Sequence, residues 1–231
     1  MTTSPCRLEF DVAPYRLSGV VYGTLLNHQP AIDALAAVAH QPPYKAPAQA
    51  PVLYIKPRNT LAAHGDAVRV PADAPELEVG ASLGIVIGRT ACRVSEAQAL
   101  DHVAGYTIVG DISVPHDSFY RPSIRFKARD GFCPIGPAVV PRHAVPEPDA
   151  LAVQVYVDGR LVHATTTGDR RRPVARLLAD VTAFMTLAPG DILLLGVSAG
   201  APRVRAGQEL CIAIDGLGQL HNRFISEGVQ A

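Results

Sequence analysis

Four basic side chains, Arg121, Arg125, Lys127 and Arg129, crowd into a short stretch that starts just after Asp111 and Ser113 and ends at Phe132-Cys133-Pro134-Ile135-Gly136. An alternating cationic run beside a carboxylate makes a poor core but a good grip for a small anion. Arginine forks match carboxylate geometry, and lysine adds a compact point charge. On an extended strand, Arg125, Lys127 and Arg129 would share one face. The same residues also read as a solvated edge or loop. Lys56 closes an apolar run, Val52–Lys56, and is either a second cation for the site or a strand-end surface lysine. Asp111 is either a ligand-type carboxylate or a turn cap. Cys133 reads as packing, and His64 as a loop histidine or a proton relay. The remaining histidines show no zinc-type spacing.

Composition narrows the partners. The 231 residues carry 21 Lys+Arg against 21 Asp+Glu, so the formal net charge is zero and neither nucleic acid nor an anionic membrane is an expected partner. The basic cluster is local and suits a small ligand. Cysteines 6, 92, 133 and 211 are scattered without a CxxC pair, as in reduced cytoplasmic proteins. No stretch reads as a signal peptide or a membrane span, and a soluble cytoplasmic protein is expected.

The elements that position these residues are mostly strands. Prolines and glycines punctuate short apolar runs, giving expected strands at 52–56, 83–87, 106–109, 151–157, 160–165, 192–195, 209–214 and 219–225. Asp158-Gly159, flanked by alternation, predicts a type I′ hairpin. Helices are expected from Pro30 to about Ala39, from Glu96 to a stop at Gly105, and from Pro173, where Val174, Leu177, Leu178, Val181, Phe184 and Met185 recur at helical spacing and Pro189-Gly190 ends the run. Residues 1–50 form an N-terminal strand, helix and proline-rich connector, with 41–51 extended or a flap. Residues 51–231 form the main, catalytic-type domain.

Several segments in order resemble the fumarylacetoacetate hydrolase family: Tyr54-Ile-Lys56-Pro57, Leu83-Gly-Ile-Val-Ile-Gly88, Asp111-Ile-Ser113, Phe126-Lys127, Phe132 to Pro137, Val157-Asp158-Gly159, Met185 to Asp191 and Gly216-Leu-Gly218. More narrowly, Leu26-Asn27-His28, Gln41-Pro-Pro-Tyr44, Arg58-Asn59-Thr60 and Ser118 to Pro122 are similar to the amino-terminal module of the two-module isomerase/decarboxylases of homoprotocatechuate (4-hydroxyphenylacetate) degradation. The resemblance implies an α+β, mostly β fold, a mixed β-sheet roll with a few peripheral helices. It implies isomerisation of 2-hydroxyhepta-2,4-diene-1,7-dioate, or a share in decarboxylating 5-carboxymethyl-2-oxo-hex-3-ene-1,7-dioate. The partner implied is a second homologous module or a second copy, as heteromer or homodimer; the substrate is a dicarboxylate or tricarboxylate oxo-acid.

By the same resemblance Lys127 and Asp111 are catalytic, and Lys56, Arg121, Arg125 and Arg129 bind substrate. The family holds Mg2+ or Mn2+ on a Glu-x-Glu pair and on the aspartate of Asp-x-Ser. Here Asp111 stands at the third position, but Gly80 and Ser82 occupy the first two, with Glu76 and Glu78 four residues upstream. The family's lid dyad falls at Ala31 and Ala34, which speaks against a hydrolase of fumarylacetoacetate type, because hydrolysis needs a base to position water. Three readings stay open: a catalytic isomerase/decarboxylase module, a structural partner of a metal-bearing module, or an acylpyruvate-type hydrolase.

Overall fold

The computed structural model describes residues 6–7, 19–116 and 124–228, with Cys6–Arg7 described by backbone only. The described residues form two sheets. The larger has nine strands and runs, edge to edge, Cys6–Arg7, Cys133–Pro141, Val103–Ser113, Leu77–Ile87, Ile192–Leu194, Val21–Leu25 and Val52–Lys56, with Leu61–Ala63 and Arg203–Val204 paired to its sides. The smaller has five strands, ordered Arg160–Thr166, Ala152–Val157, Glu209–Ile214, Gly218–Ser226 and Ala67–Val70. Both mix parallel and antiparallel pairs, which agrees with the mostly β roll. Among the described residues no helix is long and apolar enough to cross a membrane.

Strand alternation places the core between the sheets. Leu77, Val79, Ala81, Leu83 and Ile85 join Val153, Val155, Leu210, Ile212, Leu220 and Phe224 in one buried cluster. The helix Val174–Thr182 adds Val174, Leu177, Leu178 and Val181 to it, each fully buried. The opposite face of Leu77–Ile87 presents Glu78, Gly80 and Ser82. Gly80 pairs with Asp111 and Glu78 with Ser113, so these residues look out from one side of the sheet.

Several expected elements form as read. Val52–Lys56 and Glu209–Ile214 are strands with those bounds, and the hairpin turns at Asp158 and Gly159 with φ of 50° and 74°, the left-handed pair that a type I′ turn requires. Others differ. The first helix is shorter, Gln29–Leu35, and residues 41–46 are turned rather than extended, the Tyr44 and Lys45 amides both donating to the Gln41 carbonyl. Gly105 does not cap a helix. The helical turns end by His102, and Gly105 lies in the strand Val103–Ser113, where a Cβ would stand 2.2 Å from the Val140 carbonyl oxygen. Close backbone approach is what requires glycine there.

Candidate active site

The strand Val52–Lys56 delivers two side chains to one point because its residues alternate. Tyr54 and Lys56 both turn inward, 7% and 1% exposed, whereas Ile55 between them is exposed. Tyr54 lies flat against the neighbouring strand at Gly23, where a Cβ would come within 2.0 Å of its ring. Its hydroxyl donates to Asp111 Oδ2. Lys56 Nζ sits 2.7 Å from Asp111 Oδ1 and donates to the carbonyls of Ile112, Lys127 and Phe132 at 2.7, 3.0 and 3.0 Å. One ammonium thus ties together the end of the Asp111 strand, the end of the following helical turn and the start of the next strand.

Lys127 completes the cluster. Its Nζ is 3.1 Å from Asp111 Oδ2 and 4.7 Å above the centre of the Tyr54 ring, a cation over an aromatic face. Burial drives the Asp111 carboxyl toward the neutral form, but the charges of Lys127 and Lys56, with hydrogen bonds from Lys56 and Tyr54, outweigh it and hold the group well below the usual carboxylate range. Burial pulls the Lys56 ammonium below the ordinary lysine value, against the opposing pull of Asp111. Burial, then the Asp111 charge, pushes the Tyr54 phenol well above its usual value. Asp111 is the ion, and the groups around it are its donors.

Three of the expected site residues, Lys56, Asp111 and Lys127, therefore converge. Arg125 and Arg129 do not join them. Residues Ile124–Lys127 form a helical turn, not a strand, so positions two apart point to nearly opposite sides. Lys127 turns inward and Arg125 outward, its side chain 76% exposed. Arg125 and Arg129 both reach Asp73 instead, Arg129 through two hydrogen bonds of 2.6 and 2.9 Å. The Arg129 bonds lead in holding the Asp73 carboxyl at about 2. The shared cationic face expected from alternation is thus replaced by one buried lysine and a surface ion-pair cluster. Arg121 lies outside the described residues. Cys133 is packing, its thiol pushed up to about 12 by burial, and His64 accepts from the His221 amide in a loop.

Lys127 opens onto a cleft of about 460 Å³, shared with Glu78, His116, His28, Val197, Ser198 and Arg203. Ala31 and Ala34 of the first helix also line it, without a base to offer to water. His28 is 6% exposed and its Nδ1 accepts from the Ala199 amide at 3.1 Å; burial, then the charge of Arg170, lowers its pKa. Glu78 is half-buried, and burial raises its pKa despite the nearby charges of Lys127, His116 and Arg203. Glu76, by contrast, is drawn to the surface by Arg203 and Arg205. Asn27 fixes the wall: its side chain donates to the Arg172 and Leu195 carbonyls at 3.0 and 2.9 Å and accepts from the Arg172 amide at 2.9 Å.

The residues do not fit the divalent metal that the resemblance implies. Two of the three carboxylate positions are Gly80 and Ser82, and Val197 fills the space between. A Cβ on Gly80 would lie 2.3 Å from Val197 Cγ1. Ser82 turns its hydroxyl to the Gly196 backbone. Asp111, the third position, already faces two ammonium groups and a phenol, whereas a hard cation wants several free oxygens. Among the described residues, no three His, Cys, Asp or Glu side chains gather where a metal ion could be held.

Tyr54, Glu78 and His28 were not singled out from sequence as site residues. Tyr54 was legible: two positions before a buried lysine on a strand, it must share that lysine's face.

Comparison with known proteins agrees with this frame. The family profile described as "Fumarylacetoacetate (FAA) hydrolase C-terminal" matches residues 20–225. The chain is 36% identical over 211 residues to the 4-hydroxyphenylacetate degradation bifunctional isomerase/decarboxylase of Escherichia coli, covering 91% of this chain and 48% of that protein. It thus spans about half the length of that curated relative. Among solved structures it is similar to 2-hydroxyhepta-2,4-diene-1,7-dioate isomerase from Mycobacterium marinum, with 29% identity, TM-score 0.74, and 91% and 76% of the two chains covered. It is also similar to maleylpyruvate hydrolase from Sphingobium sp. SYK-6 in complex with manganese(II) ion and pyruvate, with 28% identity, TM-score 0.72, and coverage of 90% and 70%.

Proposed function

The chain belongs to the fumarylacetoacetate hydrolase family, a family of enzymes, and from that membership we propose that it is one module of a two-module isomerase/decarboxylase acting in homoprotocatechuate degradation. Its own cleft carries the isomerisation of 2-hydroxyhepta-2,4-diene-1,7-dioate to 2-oxohept-3-ene-1,7-dioate. The decarboxylation of 5-carboxymethyl-2-oxo-hex-3-ene-1,7-dioate, which needs an electron sink for the departing carboxylate's electrons, belongs to a second homologous module. The observation that carries this division is the cleft floor, where Lys127 and Glu78 survive while the metal positions are closed by Gly80, Ser82 and Val197.

Isomerisation asks only for proton transfer. The enol oxygen at C2 loses its proton, the electrons shift through the diene, and C5 gains a proton. Lys127 lies on Asp111 and faces the cleft, so its ammonium can sit against the developing C2 oxyanion. Glu78, whose carboxyl is raised by burial, is the proton carrier on the same side of the sheet. Asp111, Lys56 and Tyr54 hold Lys127 in place. Arg125 and Arg129 have no part in this scheme, being occupied by Asp73.

The test follows the loss of hydroxydienoate absorbance with the purified chain, with and without chelator. Turnover that persists in chelator and is lost in Lys127→Ala supports the isomerase reading. The filled metal position also favours a second reading, a structural partner for a metal-bearing module. That reading is supported if turnover appears only when such a module is added and is indifferent to Lys127→Ala, a result that removes the first.

A further inference from the structure

His28 caps the start of the first helix, and one hydrogen bond fixes the state of its ring. The Ala199 amide donates to His28 Nδ1 at 3.1 Å. An amide N–H gives a hydrogen bond and accepts none, so Nδ1 is bare and the proton of the neutral imidazole sits on Nε2. Burial, then the Arg170 charge, lowers the pKa of the ring; Asp169 pulls it upward and His163 pushes it further down, and the net shift keeps the ring neutral at pH 7.

The Nε2–H is the part of His28 that the fold leaves unused. It has no hydrogen-bond partner among the described residues, yet Nε2 is not sealed in the interior as the Tyr106 hydroxyl is. His28 lines the cleft together with Lys127, Glu78 and Ser198. The ring is also held in place before any ligand arrives. Its Nδ1 is tied to Ala199, its own carbonyl accepts from the Ala31 and Ile32 amides, and its backbone bridges to Arg170. A donor fixed in this way loses little freedom when it binds. His116, the other histidine of the cleft lining, is set the opposite way. Its Nδ1 donates to the Val114 carbonyl at 2.9 Å, so in the neutral ring its Nε2 is the bare nitrogen.

We propose that His28 is a substrate-binding donor of the cleft, its neutral Nε2–H holding a carboxylate oxygen of the oxo-acid. It is not a base, because its bare nitrogen faces the Ala199 amide and not the cleft. The proposal deepens the isomerase reading and rests on it for the identity of the acid: with Lys127 against the C2 oxygen, a carboxylate oxygen is left for His28.

The experiment is calorimetric titration of 2-oxoheptanedioate, the saturated diacid, into wild type, His28→Asn and His28→Gln, with melting temperatures measured alongside. Asparagine offers an oxygen near the Nδ1 position for Ala199 and nothing at Nε2. Glutamine reaches the Nε2 position with an amide N–H and gives up the acceptor at Nδ1. His28→Asn should bind about tenfold to a hundredfold more weakly than wild type, the range for a hydrogen bond to a charged group, and melt close to it. His28→Gln should keep its affinity within about threefold and melt lower. A merely structural histidine gives the reverse pattern, and that result, or no binding by wild type, overturns the assignment. Nitrogen NMR of the histidine rings serves if a variant does not fold. The free protein should show His28 protonated at Nε2 alone at pH 7, with that signal moving as the diacid is added; a proton on Nδ1, or a signal that does not move, overturns the assignment as well. Binding that depends on His28 without turnover of the hydroxydienoate keeps the assignment and removes the isomerase reading. Turnover with unchanged KM in His28→Asn does the reverse.

Discussion

Replacing Lys56 by methionine tests the central claim about how the site is built. The substitution preserves the length of the apolar stem and removes the ammonium. It strips Asp111 of the cation at its Oδ1 and takes a donor from the carbonyls of Ile112, Lys127 and Phe132, of which Phe132 still accepts from the Ile112 amide. Breaking a fully buried ion pair costs about 3–5 kcal/mol. At roughly 2–4 °C per kcal/mol for a domain of this size, the melting temperature should fall by about 6–20 °C. Lys127→Met should cost less, about 1.5–3 kcal/mol, since it removes one charged hydrogen bond and leaves Asp111 with Lys56 and Tyr54. The double variant Lys56→Met/Asp111→Asn separates the two parts of the Lys56 cost. It removes the stranded carboxylate charge but does not replace the donor lost by the Ile112 and Lys127 carbonyls, an unsatisfied buried carbonyl costing about 1–3 kcal/mol, so it should recover only part of the loss. Urea denaturation with unchanged m-values measures all three. A Lys56→Met protein within about 1 kcal/mol of wild type, or a double variant as stable as wild type, would refute this account of the staple.

Gly23→Ala should cost about 1–3 kcal/mol by overpacking, because its methyl would enter the Tyr54 ring; a melting temperature equal to wild type would show that the ring has room to shift. The pH dependence of stability follows from Asp111. Its folded pKa lies below the unfolded value of about 3.9, so its contribution is complete above that value and is lost as pH falls through the lowered one. Asp111→Asn should therefore flatten the acid limb of the stability curve below about pH 4 while lowering the neutral plateau. An acid limb unchanged by the substitution would place the responsible carboxylate elsewhere.

How much of this was legible in the sequence depended on whether a feature was local. Hairpin chemistry at Asp158-Gly159 and the helical period from Val174 are encoded by neighbours a few residues apart; the hairpin formed as read, and the helix formed but stops at Thr182, leaving Phe184 beyond it and exposed. Lys56, Asp111 and Lys127 were recognisable as motif residues. Their mutual contact, though, depends on three strands and a helical turn brought together from separate parts of the chain. The arginine cluster failed for an equally physical reason. Strand alternation was applied to Ile124–Lys127, which is helical, and at helical pitch the same spacing separates Arg125 from Lys127. Asp73, which claims Arg125 and Arg129, is more than fifty residues away in sequence. No local pattern could have named it.

Glu78 shows why the two metal positions have to be read together with the residues around them. A strand that loses carboxylates at positions 80 and 82 keeps one at 78, a single alternation step along the same face and next to Lys127 rather than to a metal. Among the described residues, the cleft lining carries Lys127 and Arg203 against the single carboxylate of Glu78, the reverse of what a divalent ion requires and what a dianionic oxo-acid does require. The substitutions that close the site to a metal are therefore the same ones that leave it open to a substrate with two carboxylates, provided the reaction is one that lysine and glutamate can carry by moving a proton.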